Sequence, residues 1–155
     1  MIHTKPPRYT SIVVMGLVLL LAYPVNAQEH SNIQGWRITC KNDPIHDIRT
    51  CDGIKGELMV ILQRSGRLNI DLVGRDDPYP GSYVYVRVDQ RKPHKSGEGG
   101  WVNADAWRIV DELKTGKTAI TRYTNWPHNR LIDTEINLDG FKEMMQALQR
   151  RVQSK

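Results

Sequence analysis

The first 27 residues have the pattern of an export signal. Lys5 and Arg8 come first, residues 11–23 are almost continuously apolar, Pro24 interrupts the run, and small residues follow up to Ala27. A helix needs roughly 20 apolar residues to cross a bilayer, whereas a cleavable signal has a shorter apolar run followed by small residues. The pattern therefore predicts a signal peptide over 1–27, an exported domain over 28–155 and no transmembrane segment after cleavage.

Cleavage would also remove part of the positive charge. The chain of 155 residues has 22 Lys and Arg against 17 Asp and Glu, a net charge of +5. The signal contains two of these cations and no acidic residue, which leaves 20 minus 17, or +3, for residues 28–155. That length favours one domain, since two would each have a marginal core. So small a charge argues against a nucleic-acid partner and favours a local contact surface.

Export makes the two cysteines informative. Cys40 and Cys51 are the only cysteines in the sequence. In an oxidising compartment such a pair forms a disulfide more often than it supplies a reactive thiol. The spacing matches neither a Cys-x-x-Cys redox motif nor a zinc knuckle. The sequence therefore predicts a Cys40–Cys51 disulfide.

Alternation of apolar and polar residues predicts the strands. Strands are predicted over 36–40, 57–63, 67–73, 82–89, 118–123 and 131–138. Turn residues at 64–66 predict an antiparallel hairpin between the second and third strands, and a dense turn signal covers 75–81. Trp36 and Trp107 are predicted to lie in the core.

The strand over 82–89 has two distinct faces. Val84, Val86 and Val88 lie on one face, and Tyr83, Tyr85 and Arg87 lie on the other.

Two helices follow from apolar residues at helical spacing. Asn103 is placed to cap a helix over 103–113, and Gly116 to stop it. A second helix begins at Asp139, and its apolar residues recur every three or four positions as Phe141, Met145, Leu148 and Val152, while Lys142, Gln149 and Arg150 face solvent. The order of four strands, helix, two strands, helix predicts a mainly β fold with two helices (α+β), an antiparallel sheet or flattened β-sandwich with helices packed on it.

A polar segment between the sheet and the first helix carries clustered positive charge. Residues 90–100 end in Ser-Gly-Glu-Gly-Gly and predict an exposed loop. The loop contains Arg91, Lys92, His94 and Lys95. This group is ordinary hydrated charge or, as the alternative, a contact with an anionic envelope surface.

Aromatic side chains are a second candidate for partner binding. Tyr83 and Tyr85 share a strand face, and Trp126 lies beside His128 at the turn between two strands. Exposed, these side chains would form a contact surface for a protein or a glycan, whereas beneath a helix they would belong to the core. Both interpretations stay open.

The segment between the cysteines holds the only weak metal candidates. Asp43, His46 and Asp47 lie close together in sequence, but a metal site needs three or four convergent ligands and nothing fixes a further one. The alternative is a turn set by Asp43 with hydrated neighbours. No Ser or Cys nucleophile signature accompanies a histidine, and no His-Glu-x-x-His occurs, so we expect no catalytic residues and no cofactor.

Several short motifs together resemble the invasion-associated locus B family. After the signal come Trp-Arg-Ile-Thr-Cys at 36–40, Val-Arg-Val-Asp at 86–89, a helix ending in Lys-x-Gly at 114–116, and Leu-Asp-Gly-Phe at 138–141. The resemblance implies an exported β-rich fold with a disulfide, no catalytic centre and a role at the cell envelope, in some members linked to entry into host cells. The second cysteine pair of that family has no counterpart at 99–104.

These features lead to one functional hypothesis and two alternatives. The first is a non-enzymatic periplasmic or secreted protein that binds another envelope or host component. One alternative is a small inhibitor of a glycan-degrading or proteolytic enzyme that inserts the loop over 90–100. The other is a metal-assisted hydrolase that uses the loop between Cys40 and Cys51. The sequence leaves the oligomeric state open.

Overall fold

The computed structural model describes residues 29–74 and 77–154. The predicted signal over 1–27 lies outside this part of the chain, as do Arg75 and Asp76 of the predicted turn. The described residues form ten strands and two helices: β1 (Glu29–Ile33), β2 (Trp36–Asp43), β3 (Ile48–Lys55), β4 (Leu58–Gln63), β5 (Leu68–Leu72), β6 (Tyr83–Val88), β7 (His94–Gly97), β8 (Trp101–Val102), α1 (Asn103–Leu113), β9 (Thr118–Asn125), β10 (Arg130–Asn137) and α2 (Phe141–Gln153).

The strands form two antiparallel sheets. Sheet A has the order β1-β2-β3-β4-β5-β8, and sheet B has the order β10-β9-β6-β7. The predicted hairpin between the second and third predicted strands is confirmed as β4 and β5, with Leu62 opposite Leu68. The buried apolar side chains of both sheets and both helices form one core cluster. The α+β fold class is therefore confirmed, with two sheets and helices packed on them.

The sequence pattern did not predict the strand β3, although this strand contains Cys51, one of the two bridged cysteines. It pairs with β2 so that Cys40 lies directly opposite Cys51, and the predicted disulfide between them is confirmed. Both cysteines are buried. The other inward-facing residues of β3 are Arg49 and Gly53, so the strand lacks the apolar alternation by which we predicted its neighbours. The disulfide thus joins two neighbouring strands of a hairpin.

The helix α2 covers the inner face of sheet A. Phe141 packs edge-on against Trp36, with 5.2 Å between the ring centroids. Met144 fills the space beside Gly53, where a Cβ atom would lie 2.3 Å from the methionine sulfur. Met145, Leu148 and Val152 are buried and Lys142, Gln149 and Arg150 are exposed, as predicted. The helix begins at Phe141, two residues after the predicted start.

Arg49 of β3 and Arg64, directly after β4, hold the end of α2. The Nε atom of Arg49 donates a hydrogen bond to the carbonyl of Arg151 at 2.8 Å, and its Nη1 atom donates to Asn42 at 3.1 Å. The Nε atom of Arg64 donates to the carbonyl of Val152 at 3.1 Å. The last carbonyls of a helix have no partner within the helix and carry the negative end of its dipole, so cations are favourable there.

Sheet B corrects the prediction of a loop over 90–100. Within that segment, β7 pairs with β6 and places Lys95 opposite Tyr85 and His94 opposite Val86. The residues of β7 are polar and half-buried or exposed, and so they carry no apolar alternation. Pairing with β6, which the local sequence does not specify, makes this segment a strand.

The helix α1 has the predicted bounds, but its ends differ from the prediction. Val102 occupies the N-cap position, no side chain of the described residues caps the helix, and Asn103 has a positive φ of 50°. The C-cap residue after Leu113 is Lys114, which has the ordinary right-handed conformation. A Cβ atom on Gly116 would lie 2.3 Å from Val88, so this glycine permits a close approach to β6, and its φ lies outside the left-handed region typical of a glycine that stops a helix. Trp107 is half-buried and packs against the core.

No helix in residues 29–74 and 77–154 is long and apolar enough to span a membrane.

The outer face of sheet A contains a carboxyl group with a raised pKa, that of Asp52. Burial raises the pKa of Asp52 above its ordinary value of 3.8, against the opposing effect of Lys41 and Arg37 nearby. The folded state then holds more protons than the unfolded state between the two pKa values, so stability falls as the pH rises through that window. We expect Asp52→Asn to raise the free energy of unfolding at pH 7, by under about 1 kcal/mol because half-exposed charge remains hydrated.

Urea unfolding between pH 4 and pH 7 measures this effect. Asp133→Asn is a control of opposite sign, because the hydrogen bond from Arg122 holds the pKa of Asp133 below its ordinary value. Its stabilising effect is present above that ordinary value and is lost as the pH falls through the lowered pKa. A lower stability of Asp52→Asn than of the wild type at pH 7 would contradict the assignment.

Candidate functional site

The outer face of sheet B brings together several residues predicted to bind a partner. Tyr83 and Tyr85 point outward from β6, with Tyr83 exposed and Tyr85 half-buried. Lys95 lies opposite Tyr85 on β7, and its ammonium group sits 3.4 Å from the centre of the Tyr83 ring. A cation in this position is attracted by the electrons of the ring. The two tyrosines therefore belong to the surface, and the interpretation that places them in the core is wrong.

A groove of about 590 Å³ runs across this face. Its lining comes from three strands and the segment before β7: Tyr85, Arg87, Pro93, Ile120, Arg122, Leu131 and Asp133. The strand register explains why these side chains meet, since Tyr85 lies opposite Arg122 and Arg87 lies opposite Ile120. The groove combines an aromatic ring, aliphatic side chains and guanidinium groups. We call this surface the sheet B groove.

The two arginines of the sheet B groove differ in their partners. Arg122 forms a bidentate ion pair with Asp133 on β10. Its Nε atom donates to Oδ1 at 2.6 Å, and its Nη2 atom donates to Oδ2 at 2.5 Å. This pairing raises the pKa of Arg122 and lowers that of Asp133. In the described part of the chain, Arg87 has no ion pair or side-chain hydrogen bond. The groove thus has one neutralised cation and one available cation.

Two members of the predicted basic group face away from the groove. Arg91 donates hydrogen bonds to the carbonyl of Glu112 at 2.8 Å and to the hydroxyl of Thr115 at 3.0 Å. The Nε2 atom of His94 lies 3.0 Å from a carboxylate oxygen of Glu112. Arg91 and His94 therefore tie the segment before and within β7 to α1, which corrects their assignment to an exposed loop. Lys92 and Lys95 are exposed.

The turn between β9 and β10 presents a separate exposed aromatic side chain. Trp126 is 47% exposed and packs edge-on against Tyr79 at 5.0 Å, and the peptide bond to Pro127 is cis. His128 is exposed at the same turn. Leu131, the second residue of β10, is 61% exposed and lines the groove. Trp126 therefore belongs to the surface at this turn.

The weak metal candidates form a hydrogen-bonded turn between β2 and β3. One carboxylate oxygen of Asp43 accepts hydrogen bonds from the backbone N–H groups of Ile45 and His46, and the other contacts the His46 ring at 2.9 Å. These contacts lower the pKa of Asp43, and the hydrogen bond with the His46 ring is the largest cause. Asp47 is exposed with a positive φ of 52°. Among the described residues, no group of three or more Asp, Glu, His or Cys side chains converges as metal ligands would.

Sequence reasoning missed most of the lining of the sheet B groove. Ile120, Arg122, Leu131 and Asp133 lie at alternate positions of β9 and β10, so the outward side of each strand was available from the alternation. The pairing of β6 with β9 was not, because about thirty residues and a helix separate the two strands.

No protein-family model matches the sequence, and no curated protein matches it.

Proposed function

We propose that the protein is a non-enzymatic exported protein that binds a protein component of the cell envelope or of a host through the sheet B groove. The single observation that carries the proposal is an exposed groove that combines Tyr85, Arg87 and Leu131. Tyr and Arg side chains supply much of the binding energy in protein interfaces, because they pair a large apolar area with a polar end, and Leu131 adds exposed apolar area beside them. The role at the envelope rests on the predicted signal and on the resemblance to the invasion-associated locus B family.

The disulfide is a further observation in favour of export. Buried disulfides persist in oxidising compartments such as the periplasm or the exterior, whereas the cytosol keeps most thiols reduced. Cys40 and Cys51 form such a buried bridge. A periplasmic or secreted location is therefore part of the proposal.

Two exposed aliphatic residues provide a matched test in intact cells. Leu131 is 61% exposed in the groove, and Ile45 is 84% exposed at the turn between β2 and β3. After chemical crosslinking, we expect Leu131→Ser to lower the yield of the adduct with the partner about tenfold or more, as for a side chain central to an interface. We expect Ile45→Ser to keep the yield of the wild type, since the turn lies outside the groove.

Two results would contradict the proposal. One is an equal adduct yield for Leu131→Ser and Ile45→Ser. The other is hydrolytic turnover by the purified protein that is lost in Asp43→Asn or His46→Gln, which would favour the metal-assisted hydrolase. The inhibitor of a glycan-degrading or proteolytic enzyme stays a separate hypothesis, and tight inhibition lost on shortening 90–100 would favour it.

A further inference from the structure

We propose that Arg87 anchors a carboxylate of the partner, so that the sheet B groove recognises an acidic protein segment with apolar residues beside the acid. This inference rests on the proposed function and specifies the chemistry of the partner. Arg87 is half-buried on β6, and no described residue offers it an ion pair or a side-chain hydrogen bond. A guanidinium with no partner in the described chain is available to pair with an opposite charge, and its planar fork matches the two oxygens of a carboxylate.

The second arginine of the groove, Arg122, is already paired. Arg122 already has both oxygens of Asp133, at 2.6 Å and 2.5 Å. It therefore supplies little attraction to a further anion, while Arg87 on the neighbouring strand keeps its donors. A carboxylate of the partner would bind Arg87 with both oxygens, in the same geometry in which Asp133 binds Arg122.

Apolar side chains surround Arg87 within the same groove. Ile120 lies opposite Arg87 in the strand register, and Pro93 and Leu131 complete the aliphatic lining. The ring of Tyr85 lies next on the outward side of β6. A ligand that fills this groove must place apolar groups beside its acidic group, because burial against these side chains is favourable only for apolar surface.

The charge of the face favours a protein segment over a lipid surface. Attraction to an anionic membrane grows by about 1 kcal/mol for each basic residue near the surface, so that several free cations are needed. On this face Asp133 neutralises Arg122, and Glu135 is exposed opposite Ile120. Lys95, against the Tyr83 ring, is a further exposed cation of this face but does not line the groove. The face is therefore mixed in charge, with Arg87 as the cation without an ion pair among the residues that line the groove.

An array of immobilised heptapeptides tests the inference on the purified, disulfide-bonded protein. Each peptide has a central Glu or its neutral counterpart Gln, flanked by every pairing of Leu, Val, Phe and Ser. We expect the Glu peptides with apolar flanks to retain the protein at least about fivefold more than their Gln counterparts. We expect Arg87→Gln to remove this difference, and Arg37→Gln, which alters an exposed arginine on the outer face of sheet A, to keep it.

The outcomes that overturn the inference are specific. They are equal retention of Glu and Gln peptides, including no retention of either, and a preference for Glu that survives in Arg87→Gln. Binding to vesicles of anionic phospholipid without retention of any peptide also overturns it. Thermal unfolding of Arg87→Gln confirms that the variant is folded. If the array fails while adduct formation in cells still depends on Leu131, the chemistry assigned to Arg87 is wrong and the proposed function survives. Failure of adduct formation would remove the proposed function itself.

Discussion

Replacing Cys40 and Cys51 together by alanine is expected to lower the free energy of unfolding by about 3 kcal/mol, one of the two largest effects that we predict. The bridge joins residues 11 apart in sequence, and its loss frees the unfolded chain to adopt many more conformations. In the folded state both sulfur atoms are buried beneath α2, so the substitution also leaves unfilled space in the core. A loss of this size corresponds to a decrease in Tm of roughly 10 °C for a domain of this length.

Thermal unfolding with and without a thiol reductant measures the effect of the disulfide. The wild type should lose stability in the reductant, and the double alanine variant, as the matched control, should be insensitive to it. An unchanged Tm of the wild type under conditions in which free thiols are detected would mean that the bridge contributes nothing to stability.

The second large effect is expected for Arg49→Met. Arg49 is only 8% exposed, and it satisfies both the carbonyl of Arg151 at the end of α2 and the side chain of Asn42. Methionine keeps most of the aliphatic bulk but leaves these acceptors without their donor in a partly buried site. Loss of a charged hydrogen-bond donor under such conditions typically costs about 2–4 kcal/mol. Urea unfolding followed by circular dichroism measures the difference.

Arg67→Met is the matched control for Arg49→Met. Arg67 is exposed at the turn between β4 and β5, and substitutions at such positions usually change stability by less than about 0.5 kcal/mol. Similar losses for Arg49→Met and Arg67→Met would contradict the claim that Arg49 holds the end of α2. A loss confined to Arg49→Met would support it.

The sequence predicts those elements whose own side chains carry the pattern of burial. Val84, Val86 and Val88 mark the inward face of β6, and the stripe beginning at Phe141 marks α2. The strand β3 was not predicted because its inward residues include Arg49 and Gly53, which are not apolar side chains of the kind that mark a buried strand face. Arg49 is tolerated there because the end of α2 offers it acceptors, and Gly53 because Met144 fills its place. Both reasons depend on a helix about ninety residues further along the chain.

The candidate site, too, could be predicted from the sequence only where the pattern is local. Local alternation predicts that Tyr83 and Tyr85 share a face, but it leaves open whether that face is exposed, and the structure shows that it is the outward one. Which residues stand beside them depends on the pairing of β6 with β9, which is a long-range contact. For the same reason the sequence could not show that Arg91 and His94 contact α1 whereas Lys95 is exposed. Their contacts with α1 appear only when β7 is placed at the edge of sheet B.

The most direct test of the binding function compares photocrosslinking from the two sheets in living cells. A photoreactive phenylalanine analogue at the position of Tyr85 lies in the sheet B groove, and the same analogue at Thr50 lies on the outer face of sheet A. Both positions are half-buried on the outward sides of strands. We predict that illumination gives a discrete adduct with an envelope or host protein from the position of Tyr85 and none from Thr50. Adducts from Thr50 with none from the position of Tyr85 would contradict the assignment of the sheet B groove as the binding surface.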